Sequence, residues 1–145
     1  MEINKMDKLN QGAQANLNGK MFEDRLEYVI QQFTDKYEKQ VAYTNLYDSN
    51  RARMDFTIND GIDINIEAKY QKVSGSVDEK IPFCIENLLK QDKDGLLVLG
   101  GHHFYTPRGE KILAWAKKKL KGEKVSIIRA DEFKAFLTDL FEANL

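Results

Sequence analysis

The feature that most constrains the fold of this chain is a pair of alternating runs on either side of a short turn. In residues 51–58, RARMDFTI, apolar side chains occupy every second position, and the alternation resumes in residues 62–69, IDINIEAK. Asn59-Asp60-Gly61 separates the two runs and has the composition of a turn. Two runs of period two around such a turn predict a β-hairpin.

The length of the turn decides which side chains share a face of this hairpin. A three-residue loop with Gly61 in the left-handed conformation pairs Ile58 with Ile62 and Asp55 with Asn65. The apolar sets of both strands then lie on one face, whereas a two-residue loop would place them on opposite faces. We therefore expect the three-residue loop.

The polar face of the predicted hairpin has the chemistry of a hydrolytic site. In the expected register Glu67 lies opposite Arg53 and one pleat from Asp55, so the two carboxylates are diagonal neighbours. Side chains of this length can converge on one hard cation, which prefers oxygen ligands. Lys69 follows on the same face, close enough to share a water with the cation. Two acids and a lysine around one ion can activate water against a phosphodiester.

These residues resemble a known family. Asp55, an eleven-residue gap and then Glu67-Ala68-Lys69 on a hairpin look like the motif of the PD-(D/E)XK nuclease superfamily, with Met54 where the name has proline. The residues that follow, 70–80, are also similar to small members, including phage and resolvase-like nucleases. The resemblance covers roughly residues 20–100.

The resemblance implies a restriction-endonuclease-like fold of the α/β or α+β class, with a mixed central sheet of four to five strands flanked by helices. It also implies a Mg²⁺-dependent endonuclease, with Mn²⁺ as a substitute, that hydrolyses DNA with weak sequence specificity or by recognising DNA structure. A non-catalytic nucleic-acid-binding module of the same fold and an RNA-directed nuclease remain alternatives. Cutting both strands would need two active sites, so a homodimer is plausible and nicking by a monomer stays open.

The resemblance also implies roles for single residues. Asp55 and Glu67 would bind the metal, and Lys69 would orient or deprotonate the attacking water. Glu23, on an early helix, would complete the ligand set, although a surface glutamate of an amphipathic helix explains it too. Gln71 would hold a water or a phosphate, or simply end a polar strand. The residues expected to contact nucleic acid are Arg53, Lys72, Ser74, Ser76, Lys80 and Arg108.

The rest of the chain predicts one nuclease domain over residues 1–145, of which residues 1–16 form a loose arm. The predicted elements, in order, are helix 17–38, strand 41–47, the hairpin, helix 77–91, strand 96–101, helix 107–120, strand 125–129 and a C-terminal helix. Ser76 with Glu79 matches a capping box, Thr106 precedes Pro107 as an N-cap, and Asp131 is expected to cap the last helix.

Composition limits the classes of function. The net charge of −1 and a pI near 6.1 argue against a strongly basic nucleic-acid binder. Phosphate contacts would have to come from local patches, such as the lysines at 117–119, which a solvated helix end explains equally well. No segment approaches a membrane span and no signal peptide is evident, so we expect a cytoplasmic protein, in the bacterial host cell if it is phage-encoded.

Other candidate chemistry is weaker. The sequence contains neither the GK[ST] of a phosphate-binding loop nor a GxSxG motif, which excludes a simple NTPase and gives no support to acyl transfer. Cys84 lies in an apolar run and is expected in the core. His102 and His103 are adjacent and therefore point in opposite directions in an extended chain, so we expect loop histidines rather than a metal site.

Overall fold

A computed structural model describes residues 11–73 and 75–145 of this protein, with side chains from Leu17 onward. The elements in this part of the chain are α1 (Gln11–Gln31), β1 (Tyr37–Tyr43), β2 (Ala52–Asn59), β3 (Asp63–Tyr70), α2 (Val77–Lys90), β4 (Asp94–Gly100), α3 (Pro107–Lys119), β5 (Val125–Arg129) and α4 (Phe133–Ala143). Short 3-10 turns at His102–Tyr105 and Ala130–Glu132 precede α3 and α4.

The strands form one mixed sheet in the order β1-β2-β3-β4-β5. The first three strands pair antiparallel, as a hairpin meander does, and β3, β4 and β5 pair parallel through the connecting helices α2 and α3. The four aliphatic residues 96–99 of β4 are fully buried, because a central parallel strand is covered on both faces. The prediction of a mixed sheet of four to five strands flanked by helices is confirmed. None of the helices in the described residues is long and apolar enough to cross a membrane.

The sheet separates two apolar layers. In the α1/α4 layer the buried residues are Phe22, Leu26, Ile30, Phe56, Ile58, Ile62, Ile64, Ile66, Leu96, Val98, Ile128, Phe133 and Leu137. In the α2/α3 layer they include Met54, Val77, Ile81, Cys84, Ile85, Leu88, Leu97, Leu99, Phe104, Leu113, Ala116, Leu120, Val125 and Ile127. Cys84 is a buried core residue, as predicted.

The hairpin forms as expected, but its register is two residues away from the prediction. Ile58 pairs with Ile64 rather than with Ile62, and the three-residue loop runs from Asp60 to Ile62. Gly61 has the left-handed φ of 68° that the loop requires. A register shift of two residues by itself moves no side chain to the other face, so alternation alone could not detect it. Consequently Glu67 lies directly opposite Asp55 on the neighbouring strand, and not opposite Arg53.

The apolar set of β2 does not stay on one face, which corrects a second expectation. Phe56 packs in the α1/α4 layer, whereas Met54, two residues earlier, packs in the α2/α3 layer. The opposing strand is distorted at the same level, since Gln40 has a φ of 53° and the ladder is interrupted between the Lys39–Phe56 and Val41–Met54 pairs. The backbone therefore turns at Asp55, between the two layers.

The N-terminal boundaries differ from the predicted ones. The first helix begins at Gln11, so residues 11–16 are helical rather than part of a loose arm, while residues 1–10 lie outside the described residues. It ends at Gln31, not near residue 38, and β1 occupies Tyr37–Tyr43 instead of residues 41–47. Tyr37 is spaced like the apolar residues of the helix, but it belongs to the strand and packs against the α1/α4 layer. The spacing of apolar residues therefore did not show where the helix ends.

Of the predicted helix caps, only Thr106 is confirmed. Its hydroxyl accepts a hydrogen bond from the Gly109 amide at 3.2 Å, with Pro107 at the first helical position. Ser76 is an N-cap by position, but its side chain makes no capping bond, so the predicted capping box is absent. Asp131 does not cap α4 either: the turn before that helix is held by Glu132, whose carboxylate accepts from the Arg129 amide at 3.1 Å.

Candidate active site

Asp55 and Glu67 are joined across β2 and β3 by two reciprocal hydrogen bonds. The Ala68 amide donates to Asp55 Oδ2 at 2.8 Å, and the Asp55 amide donates to Glu67 Oε1 at 3.3 Å. Each carboxylate thus has one oxygen held by the backbone of the neighbouring strand. The observed register makes this possible, and it brings the two acids closer together than the predicted diagonal would.

Glu23 reaches the same point from the opposite layer. It lies on α1, near enough to Asp55 for that carboxylate to raise its pKa, and its Oε1 atom accepts a hydrogen bond from the Gln40 side-chain amide at 3.4 Å. Asp55 lies where β2 passes from one layer to the other, since Phe56 packs in the α1/α4 layer and Met54 in the α2/α3 layer. The structure therefore brings together the three acids that the sequence singled out, from α1, β2 and β3.

The electrostatics of these acids show crowded negative charge. Burial, followed by the charge of Asp55, raises the pKa of Glu67 to about 8, and this residue is only 6% exposed. Burial also raises the pKa of Glu23 to about 7, helped by the charge of Asp55 and the hydrogen bond to it. At neutral pH the group therefore retains protons that ordinary glutamates would have lost.

Lys69 is the cation of the site. Its ammonium lies 3.7 Å from Glu67 Oε2, and its side chain is 27% exposed. Burial alone would lower the pKa of Lys69, but the negative charges that Cys84, Glu67 and Asp55 can carry outweigh it, so the pKa is raised. Burial also raises the pKa of the Cys84 thiol, to about 12. Lys69 therefore stays protonated beside the acids.

Sequence reasoning missed two residues of β1 at this site. Gln40 contacts Glu23, as described above, and Tyr43 lies near Glu67, whose charge together with burial raises the pKa of the Tyr43 hydroxyl to about 12. The tyrosine is therefore a neutral hydroxyl at the edge of the acid group. Neither residue carries a motif, and the strand had been placed too late in the chain, so no sequence signal distinguished them.

The other predicted contacts are arranged along the loop after β3. The side chain of Gln71 lies against Gly75. Its backbone amide donates to the Gly100 carbonyl at 2.9 Å, and its backbone carbonyl accepts from the His103 amide at 3.3 Å. Ser74 lies outside the described residues. The remaining ones, Arg53, Lys72, Ser76 and Lys80, are exposed. Their contacts with nucleic acid, and a role for Gln71 toward water or phosphate, stay predictions.

A second polar cluster lies at the start of α2. It contains His103, which was expected as a loop histidine, and Arg108, whose contact with nucleic acid also stays a prediction. His103 Nε2 and the Asp78 Oδ1 atom are 2.7 Å apart, and Arg108 Nε donates to Asp78 Oδ2 at 2.7 Å. The side chains of Asp78 and His103 are 8% and 2% exposed. The pKa of Asp78 is lowered, because the bonds to Arg108 and His103 outweigh the effect of burial. No acid stands near His103 in sequence, so this pairing was not predicted.

The acid group has the donor atoms of a metal site, but they are not arranged in advance around one point. In residues 17–73 and 75–145, no group of three or more His, Cys, Asp or Glu side chains is already arranged as a set of metal ligands. The donor atoms nevertheless fit a hard dication, since Glu23, Asp55 and Glu67 supply oxygen ligands. A bound cation would also lower the raised pKa values of Glu23 and Glu67, because it favours their charged forms.

Comparison with known proteins agrees with the geometry. Neither the curated proteins nor the solved structures contain a match to this chain. A family model described as a PD-(D/E)XK nuclease superfamily domain matches residues 4–141. Since that match covers nearly the whole chain, and the mixed sheet carries the acids and the lysine of the motif, this protein belongs to the PD-(D/E)XK nuclease superfamily.

Proposed function

We propose that this protein is a Mg²⁺-dependent endonuclease that hydrolyses DNA phosphodiester bonds. The observation that carries the proposal is the meeting of Glu23, Asp55, Glu67 and Lys69 from three elements of the fold. Buried like charges that raise one another's pKa are costly to a folded protein, and such groups cluster at functional sites.

The carboxylates of Asp55, Glu67 and Glu23 would hold the ion. When bound, Mg²⁺ supplies a lowered pKa for water and neutralises charge on the phosphate. The ammonium of Lys69 donates hydrogen bonds, so it orients the attacking water and stabilises the negative charge that develops on the phosphoryl oxygens. The backbone amides of Asp55 and Ala68 hold the two carboxylates in place.

The substrate class follows from charge and size. A net charge of −1 gives no long-range attraction to a polyanion, so binding depends on local contacts. Base-specific readout usually takes several side chains aimed into a groove, and the part of the chain that the structure describes contains no separate element for it. Weakly sequence-specific or structure-directed cleavage is therefore the form of the activity that we propose.

The test is cleavage of matched linear, branched and single-stranded DNA, and of RNA, in Mg²⁺, Mn²⁺, Ca²⁺ or EDTA. We expect cleavage of DNA in Mg²⁺ and Mn²⁺, binding without cleavage in Ca²⁺, whose looser coordination positions water poorly, and neither in EDTA at the acid site. Supercoiled plasmid distinguishes a nicking monomer, which gives open circles, from a homodimer that cuts both strands.

Three results would count against the proposal. Full cleavage in EDTA would remove the metal from the mechanism. Metal-dependent binding to DNA with no cleavage of any substrate would instead favour the non-catalytic binding module, and cleavage restricted to RNA would favour the RNA-directed nuclease.

A further inference from the structure

A groove of about 270 Å³ lies between α2 and α3, apart from the acid group. Its apolar lining comes from Ile81 and Pro82 on α2 and from Ile112 and Trp115 on α3, and Asp78 and Lys111 stand at its edge. Trp115 is 46% exposed, which is unusual for so large an apolar side chain without a partner. The groove therefore presents an aromatic face to solvent.

Cations line up with this aromatic face along α3. Arg108, Lys111 and Trp115 are spaced i, i+3 and i+7, which places them on one side of the helix. Both cations are exposed. Arg108 is paired with Asp78 at 2.7 Å, and Lys119, in the last turn of α3, is paired with Glu86 at 2.7 Å. Arg108 and Lys111 form the cationic edge of the groove, in the N-terminal half of α3.

Arg108 is held in a fixed orientation by the buried Asp78–His103 pair. Its Nε atom donates to Asp78 Oδ2, yet the side chain remains 66% exposed. The terminal nitrogens of the guanidinium therefore face outward while its inner edge is anchored. A guanidinium fixed in this way can bind a phosphate with little loss of side-chain entropy.

A chain of contacts links the edge of the groove to the strand that carries the acid group. Asp78, at its edge, binds His103, and the His103 amide donates to Gln71 O at 3.3 Å, directly after the end of β3. Glu67 and Lys69 lie on that same strand.

We propose that this groove binds a single-stranded segment of the nucleic-acid substrate, with an unpaired base stacked on Trp115 and adjacent phosphates on Lys111 and Arg108. The inference rests on the proposed nuclease function and narrows its substrate to DNA with an unpaired strand, such as a branch or a flap. Bases in a duplex already stack on one another, whereas an unpaired base has a free face for an aromatic side chain. The cationic edge favours a polyanion over an apolar peptide.

The chain offers a direct probe, because Trp115 is its one tryptophan. We would titrate the protein in EDTA with short single-stranded and duplex oligonucleotides and follow tryptophan fluorescence. Removing the metal leaves the acid group repelling phosphate, so the signal isolates the groove. Single strands should quench the fluorescence at concentrations where the duplex does not.

Variants separate the two parts of the groove. Anisotropy of labelled single-stranded DNA should show about 5- to 150-fold weaker binding for Trp115→Ala, the range expected for one stacked base. Lys111→Gln keeps the fluorescent residue and should lower the salt slope of binding by about 0.7, the value for one phosphate on a single strand. Tyr28→Ala and Lys134→Gln, exposed on α1 and α4 across the sheet, are the matched controls and should bind as wild type.

The outcomes distinguish a failure of the groove proposal from a failure of the nuclease proposal. Absence of quenching by single strands, in a protein that cleaves DNA, would overturn the groove but not the nuclease. Quenching that persists in a protein without cleavage would keep the groove and overturn the nuclease. A fluorescence change on dilution without nucleic acid would show that a second copy occupies the groove, and equal quenching by duplex would refute the preference for an unpaired base.

Discussion

The two faces of β3 are buried to almost the same degree but differ in chemistry. Ile64 and Ile66 face the α1/α4 layer and are 2% and 0% exposed, while Asn65 and Glu67 face the α2/α3 layer and are 7% and 6% exposed. Asn65 is paired, since its Oδ1 atom accepts from the Thr57 hydroxyl at 2.9 Å. Glu67 instead meets other acids, and its pKa is raised. Burial therefore stabilises the aliphatic side chains on one face, and on the other face it disfavours the charged form of Glu67.

The comparison teaches where stability and chemistry lie in this fold. On the α1/α4 face, burial of aliphatic side chains stabilises the protein by about 1.5–3 kcal/mol for each one fully buried. On the opposite face the same strand carries groups whose burial costs free energy, because a charged carboxylate loses its hydration. Substitutions at neighbouring positions of β3 should consequently have opposite profiles for folding and for activity.

The largest effect is expected at Ile66. Ile66→Asp places an unpaired charge in the α1/α4 layer and should lower the free energy of unfolding by more than about 4 kcal/mol, or prevent folding. Urea denaturation followed by circular dichroism measures this. Ile66→Val, which removes one methylene and should cost about 1 kcal/mol, is the matched control. A wild-type midpoint for Ile66→Asp would contradict the assignment of this face to the core.

The neighbouring position should show the reverse. Glu67→Gln and Lys69→Ala should reduce cleavage by about 10²- to 10⁴-fold, the usual contribution of a positioned acid–base or charge-stabilising group. Both variants should still unfold cooperatively. Initial rates on plasmid DNA in Mg²⁺ give the measurement, with Glu123→Gln, an exposed acid outside the site, as the control. Retained cleavage in either folded variant would disprove its role.

A pH titration of stability should separate the faces again. In the unfolded chain Glu67 ionises near its ordinary pKa of 4.5, but in the fold it holds its proton to about pH 8. Between these values the folded state binds more protons than the unfolded state, so stability falls as the pH rises. Below this window both states are protonated and the difference disappears.

We therefore expect the Tm in EDTA to fall between pH 5 and pH 8, and the fall to be smaller in Glu67→Gln. Glu123→Gln should keep the wild-type slope. Mg²⁺ should raise the Tm most at the upper end of the range, because it binds the deprotonated acids. Differential scanning calorimetry across this range is the measurement. Identical slopes in wild type and Glu67→Gln would show that Glu67 is not a source of the loss.

The smallest effect distinguishes two helix starts within the α2/α3 layer. Thr106→Ala should cost about 1 kcal/mol of stability, since its hydroxyl caps α3. Ser76→Ala, at the start of α2, should change stability by less than about 0.5 kcal/mol, because the Ser76 side chain makes no capping bond. Chemical denaturation of both variants resolves the difference. Equal losses would mean that Ser76 does cap its helix in solution.

Alternation in the sequence determined much of the hairpin. It assigned Asp55, Glu67 and Lys69 to the polar set, and it placed Gly61 in the left-handed position of a three-residue loop. Side chains of a strand alternate with period two, so the face of each residue follows from its parity. The sequence also located the start of α3, because threonine is a favoured N-cap residue and proline is favoured at the first helical position: Thr106 and Pro107 occupy these positions.

Tertiary structure decided what parity cannot express. A register shift of two residues leaves every face unchanged, so only the paired strands show that Asp55 meets Glu67 directly. The turn of β2 that moves Met54 to the other layer depends on the distorted partner strand at Gln40.

The longest-range contacts were equally hidden. Glu23 joins Asp55 from a helix packed on the opposite face of the sheet, and Asp78 pairs with His103 across 25 positions. Local pattern carries the information for which face a side chain takes, because that depends on backbone geometry alone. Which buried charges meet depends on how the layers pack, and that is settled only when the whole chain has folded.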